Sequence, residues 1–151
     1  MGTAVATFSV TTSSSDIRSR CLISARSQAN AARVHGMIYS GFGGQTDFVV
    51  GALHSPGGRA IIALPSWHPK AGVSTVVPRL AGPVTSFQHS FIVSEQGTAA
   101  IWGHNASSQA GQIIGQVAHP SERDELRQAA RELGFAGDWS RQGHALSPGD
   151  R

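Results

Sequence analysis

Ser40-Gly41-Phe42-Gly43-Gly44-Gln45-Thr46-Asp47-Phe48 is the stretch whose residue types come nearest to a site. Its three glycines let the backbone turn tightly and expose its N–H groups. Asp47 is of a type that caps helices, here a short one over Phe48-Val49-Val50-Gly51-Ala52-Leu53. A strand, a glycine turn and a helix start, in that order, suit an oxyanion, a carbonyl oxygen or a phosphate. Free N–H groups and the helix dipole both favour negative charge there. The same residues also make a plain tight turn, and the stretch by itself leaves both readings open.

The carboxylates narrow the choice of chemistry. Before Glu122 the chain holds only Asp16, Asp47 and Glu95. Glu95 follows the apolar run Ser90-Phe91-Ile92-Val93-Ser94, so it falls where a strand ends, the place where α/β folds put ligand contacts. A carboxylate there acts as base, nucleophile or orienting group, or it simply caps the next turn. Lys70, in a loop with Trp67 and His68, either meets a phosphate of a nucleotide-like ligand or stays in solvent. The seven histidines show no H-x-x-x-H spacing and the chain has one cysteine, Cys21, so no metal site is expected. No G-x-S-x-G elbow is present, and nothing marks Cys21 as half of a dyad.

The elements that must hold these residues read as an α/β fold, with a mixed or mostly parallel sheet flanked by helices. Ile17 to Ser24 predicts a short strand around Cys21-Leu22-Ile23, and Gln28 to Ala31 a polar loop. Val34 to Tyr39 predicts a strand running into the glycine corner. Arg59 to Leu64, stopped by Pro65, is a buried strand. Ser66 to Gly72 is a loop. Ser74 to Val77, Pro83 to Ser86 and Ser90 to Ser94 are extended, and Gln96-Gly97 is a turn. Two helices follow. The first is capped by Asn105, Ser107 or Ser108 and broken by Pro120. The second opens on a Ser121/Asp124 capping box and stops at Gly134. Residues 1–16 are expected to be disordered, residues 17–135 to form one domain, and residues 136–151 a flexible tail.

Composition sets the outer bounds. At 151 residues there is room for one domain with a real core. A charged fraction of only 14% with 18 glycines fits either a turn-rich compact fold or a piece that another domain covers. The net charge of +3 is spread along the chain without interleaved aromatics, which gives no nucleic-acid footprint. No apolar run reaches the roughly 20 residues of a membrane helix, and no secretory signal opens the chain. A cytoplasmic setting is expected.

Several segments together resemble one family. Gly43-Gly44-Gln45-Thr46-Asp47-Phe48-Val49-Val50-Gly51-Ala52 resembles the G-G-Q-x-D-F-x-x-G-A motif of the acetyl-CoA hydrolase/transferase family. Gly57 to Ser66, Val76-Val77-Pro78 and Val93 to Ala99 follow its later segments in order, and Ala118-His119-Pro120 with Arg123 to Leu126 resembles its ending. The resemblance runs from about Gln28 to about Leu133 and concerns the C-terminal domain only. It implies a CoA-transferase-like domain from an enzyme of two similar α/β domains with CoA between them. The implied reaction moves CoA between carboxylates or hydrolyses acetyl-CoA or another acyl-CoA, through a glutamate nucleophile on a first domain that this chain lacks.

By the same resemblance Asn30 and Glu95 are active-site residues, with Glu95 assisting or orienting and not attacking. Gly43 and Gly44 supply the oxyanion hole, and Gln45 and Lys70 join them in binding CoA. The implied partners are an acyl-CoA, a small carboxylate, the first domain or a partner subunit, and further copies of the chain in a homo-oligomer. No cofactor is bound permanently; coenzyme A enters as substrate. Nucleic acid and membrane are not expected partners. Two segments depart from the family pattern. Thr85 to His89 stands where many members carry an arginine, and Trp67 to Lys70 replaces a loop of another type. The alternative is a non-catalytic CoA-binding module or an inactive fragment.

Overall fold

The apolar run after Gly58 is paired on both sides, and the fold grows outward from it. The computed structural model describes residues 5–9, 22–25, 27–30, 33–34, 37–38, 41, 43–69, 71–80, 82, 84 and 89–135. In chain order the strands are β1 (Val5–Ser9), β2 (Leu22–Ser24), β3 (Ala29–Asn30), β4 (Arg33–Val34), β5 (Met37–Ile38), β6 (Arg59–Ala63), β7 (Trp67–His68), β8 (Val73–Ser74), β9 (Val76–Val77), β10 (Phe91–Ser94) and β11 (Gly97–Ala100). The helices are α1 (Gln45–His54), α2 (Ala106–Gln112) and α3 (Arg123–Glu132). A π-helical turn, Ile113–Val117, extends α2, and a 3-10 turn, Pro120–Glu122, precedes α3.

The main sheet has the order β1-β6-β10-β11. β6 is parallel to β1 and to β10, and β11 closes back antiparallel on β10. The sheet is therefore mixed and flanked by helices, as the sequence implies. A smaller sheet has the order β3-β2-β9, with β2 antiparallel to β3 and parallel to β9. Two hairpins, β4–β5 and β7–β8, stand beside them.

One apolar cluster joins the sheets and helices. Ile23, Ile62, Leu64, Val76 and Ile92 meet Ile101, Ile113, Ile114, Val117 and Leu126. Each large side chain buried there contributes about 2 kcal/mol. A second cluster of Val49, Ala52 and Ala60, with Leu53 against it, fixes α1 to β6.

Several local expectations change. The start, residues 1–16, contains β1: Val5 and Thr7 are β-branched, and the free edge of β6 supplies their backbone partners. Ala29–Asn30 is not loop but the return strand of a hairpin, closed by bonds from the Ser24 N–H to the Gln28 carbonyl and from the Ser27 N–H to the Ser24 carbonyl, 2.9 Å each. The run Val34 to Tyr39 is split, since Val34 pairs with Met37.

The loop Ser66 to Gly72 contains β7, and the single strand expected over Ser74 to Val77 breaks at Thr75. Glu95 and Gln96 form the turn between β10 and β11, with Ser94 opposite Gly97. Asn105 does cap α2, its Oδ1 accepting from the Ser108 N–H at 2.9 Å. The Ser121/Asp124 box does not form. Pro120 starts a 3-10 turn first, the Nδ1 of His119 accepts from the Ser121 N–H, and α3 begins without a side-chain cap. Pro83, Thr85 and Ser86, and the tail from residue 136, lie outside the described residues.

Candidate active site

The glycine corner and Glu95 reach the same end of the main sheet because α1 reverses into β6. α1 has 10 residues and is about 15 Å long. β6 has five residues and spans about 17 Å. The turn between them is tight: the Gly58 N–H bonds the Ser55 carbonyl at 2.8 Å, and a Cβ on Gly58 would lie 1.7 Å from the Ala52 carbonyl oxygen. With that reversal the N-terminus of α1 lies toward the end where β6 and β10 finish.

Parallel register then brings Glu95 to Ser66. Val93 is opposite Ala63, and the Leu64 N–H bonds the Val93 carbonyl at 3.0 Å. Beyond this pair the two chains part, and the Glu95 side chain crosses to Ser66. The Ser66 N–H donates to both carboxylate oxygens, at 2.9 and 3.2 Å, and the Ser66 hydroxyl donates to Oε1. The Gln96 side-chain amide adds a long bond of 3.4 Å.

Ser66 is wholly buried, whereas Glu95 faces solvent. Partial desolvation pushes the Glu95 carboxyl upward. The bonds from the Ser66 hydroxyl and N–H, the Glu95 backbone and Gln96 outweigh it and leave the group below its ordinary value. Ser66 is held in turn by Thr75. The Thr75 hydroxyl donates to the Pro65 carbonyl at 2.5 Å, and the Thr75 N–H to the Ser66 carbonyl at 3.1 Å.

The other predicted residues are placed as follows. Gly43 and Gly44 are exposed at the start of α1, Gly43 with φ +61°. Gly44, not Asp47, is the N-cap, and no side chain caps the helix; Asp47 sits exposed in the first turn. The first N–H groups of α1 are therefore left without intrahelical partners. Gln45 is buried, and its Nε2 has no hydrogen-bond partner. Asn30 is buried in β3, and its sheet is tied to the Glu95 corner through the Ile23 N–H, which bonds the Thr75 carbonyl at 2.9 Å. Lys70 lies outside the described residues; His68, two positions earlier in the sequence, is buried, its Nδ1 accepting from the Ala71 N–H.

His89 is buried just before β10, and burial lowers its pKa from the ordinary 6.5 to about 4. Among the described residues no three His, Cys, Asp or Glu side chains gather as a metal-holding group. A cleft of about 360 Å³, lined by Leu53, Arg59, Phe91 and Trp102 among others, opens where β6 and β10 begin, the opposite end from Glu95. Among the described residues, no helix is long and apolar enough to cross a membrane.

The family model of the acetyl-CoA hydrolase/transferase C-terminal domain matches residues 10–130. The chain belongs to this family. A succinyl-CoA:acetate/propanoyl-CoA:succinate CoA transferase of Fasciola hepatica is 40% identical over 109 residues, 68% of this chain and 22% of the relative. An acetyl-CoA hydrolase of Yarrowia lipolytica is 32% identical over 123 residues, 77% of this chain and again 22% of the relative. The crystal structure of RipA from Yersinia pestis superposes with a TM-score of 0.74 at 37% identity, over 87% of this chain and 28% of that one. The chain thus spans about a fifth of the length of these curated relatives.

Ser66 is the residue that sequence reasoning passed over. In the sequence it is only the end of a motif and the first residue of a loop. The signal available was its position just past a strand end, but its meaning depends on β6 and β10 being parallel neighbours, which no local pattern states.

Proposed function

We propose that this domain is the C-terminal half of a CoA-handling site, which takes part in moving CoA between carboxylates or from an acyl-CoA to water. One feature of the topology supports it above others: the tight turn from α1 into β6 directs the helix start at Gly43 and Gly44, which has no side-chain cap, toward the end of the sheet where Ser66 clamps the Glu95 carboxylate. In this reading the N–H groups of the glycine corner stabilise the thioester oxyanion as charge develops on it. The buried, unpartnered amide of Gln45 offers a further donor beside them. Asn30 and Glu95 orient the attacking or accepting carboxylate, and Lys70 grips CoA.

Glu95 does not act as the acyl-bearing nucleophile. Hydrogen bonds draw charge from its oxygens and weaken attack. The nucleophilic glutamate belongs to a first domain or a partner subunit, so the chain by itself is inactive. A homo-oligomer and a cytoplasmic setting complete the proposal, with CoA as substrate and no permanently bound cofactor.

The test is calorimetric titration of the purified chain with CoA and with acetyl-CoA at low and moderate salt. Micromolar binding, about −8 kcal/mol, is the expected result. A folded chain that binds neither ligand would show that this half alone forms no CoA surface. A chain that binds CoA and remains silent when joined to a nucleophile-bearing first domain would favour a binding module over an enzyme.

A further inference from the structure

We propose that Ser66 is a positioning residue for Glu95, fixing its carboxylate through the backbone N–H and the hydroxyl together. The inference rests on the reading of Glu95 as an active-site carboxylate. Glu95 occupies a two-residue turn between β10 and β11 and faces solvent, a setting in which a glutamate side chain normally samples many rotamers. Here both oxygens are held by one residue, at 2.9 and 3.2 Å from its nitrogen, with the hydroxyl closing on Oε1.

Ser66 cannot drift. It is wholly buried, it follows Pro65 with its fixed φ, and Thr75 holds the carbonyls of both Pro65 and Ser66. Thr75 is itself buried and accepts from the Ile23 N–H in β2. An exposed anion is thereby moored to the junction of the two sheets. Its underside is committed to Ser66, and its open side is left to accept a hydrogen bond from an incoming group. Thr75 supports this at one remove, through the Pro65-Ser66 backbone.

The experiment is a pH titration by NMR of the labelled chain without ligand, following the Glu95 side-chain carboxyl carbon and the Ser66 amide proton. The two signals are expected to share one midpoint, below that of an ordinary glutamate. Ser66→Ala should move the Glu95 midpoint upward, and Ser66→Thr, which keeps the hydroxyl, should restore it; a loss of packing alone would not be rescued in this way. A Ser66 amide that does not follow Glu95 overturns the proposal, as does a folded Ser66→Ala chain with the midpoint unchanged. Where the alanine variant fails to fold, the amide signal of the unsubstituted chain decides. Because no CoA is used, the outcomes separate. Shared titration without CoA binding leaves the clamp and denies this half a CoA surface of its own, and CoA binding without shared titration removes the clamp and leaves the CoA surface.

Discussion

The glycine corner and the Glu95 corner lie at one end of the sheet and are built in opposite ways. Glu95 is an anion already supplied with donors, clamped by a buried serine. Gly43 and Gly44 stand at a helix start with no side-chain cap, exposed, beside a phenylalanine, Phe48, that is 63% exposed. One corner is already supplied with hydrogen bonds, and the other presents backbone donors that have no intrahelical acceptor. The difference shows where the folding free energy goes. It fixes the carboxylate and leaves the first N–H groups of α1 without intrahelical partners.

The strongest way to break the comparison is to separate the corners. Gly58→Ala puts a methyl group 1.7 Å from the Ala52 carbonyl oxygen, so the turn from α1 into β6 must open. A loss of about 3 kcal/mol or more in urea denaturation is expected. Acid comes next and acts through His89, at the start of β10 and so at the opposite end of that strand from Glu95. The unfolded chain protonates His89 near 6.5 and the native state only near 4, so the unfolded state binds more protons between these values. Stability should fall by up to about 3 kcal/mol as pH drops through that window. Glu95, whose native value is depressed, adds its own loss only at lower pH, as it protonates. Urea titrations at several pH values should show the first fall, and His89→Gln should flatten it.

Gly43→Ala sharpens the comparison. A Cβ there meets nothing within 4 Å, so only the positive φ of +61° is penalised, about 1 kcal/mol. The same substitution should leave the Ser66–Glu95 titration untouched. Phe48→Ser should change thermal stability least, within about 0.5 kcal/mol, because the ring is already in water.

Periodicity and punctuation made the larger elements legible. Arg59 to Leu64 and Ser90 to Ser94 read as strands because apolar runs ended at Pro65 and at a turn, α2 as a helix because its cap at Asn105 and its break at Pro120 were explicit, and α3 because of its apolar face and its stop at Gly134, though not its cap. β1 and β3 were not legible. Each is short, and each is a strand only because a distant segment supplies its ladder. The capping role of Asp47 was misplaced for a related reason: α1 begins three residues earlier than expected, and Gly44 caps it through its backbone alone. In the site, the motifs pointed to Glu95 and the glycines. Ser66 and Thr75 came into view only with strand order, because 29 residues separate Ser66 from Glu95 in the chain.

The π-helical turn at Ile113–Val117 constrains how this domain can change length. Each residue of an α-helix turns the following side chains by about 100°. The wide turn holds one more residue than an α-helical turn would, and with it Ile113, Ile114, Val117 and Ala118 all point into the core. Its last carbonyl is also held by the Ser94 hydroxyl at 2.8 Å, next to Glu95. Deleting a single residue here would straighten the helix and rotate everything after it, carrying the Leu126 and Ala130 face of α3 out of register. Gaps among homologues should therefore avoid this segment and collect in the loops on either side.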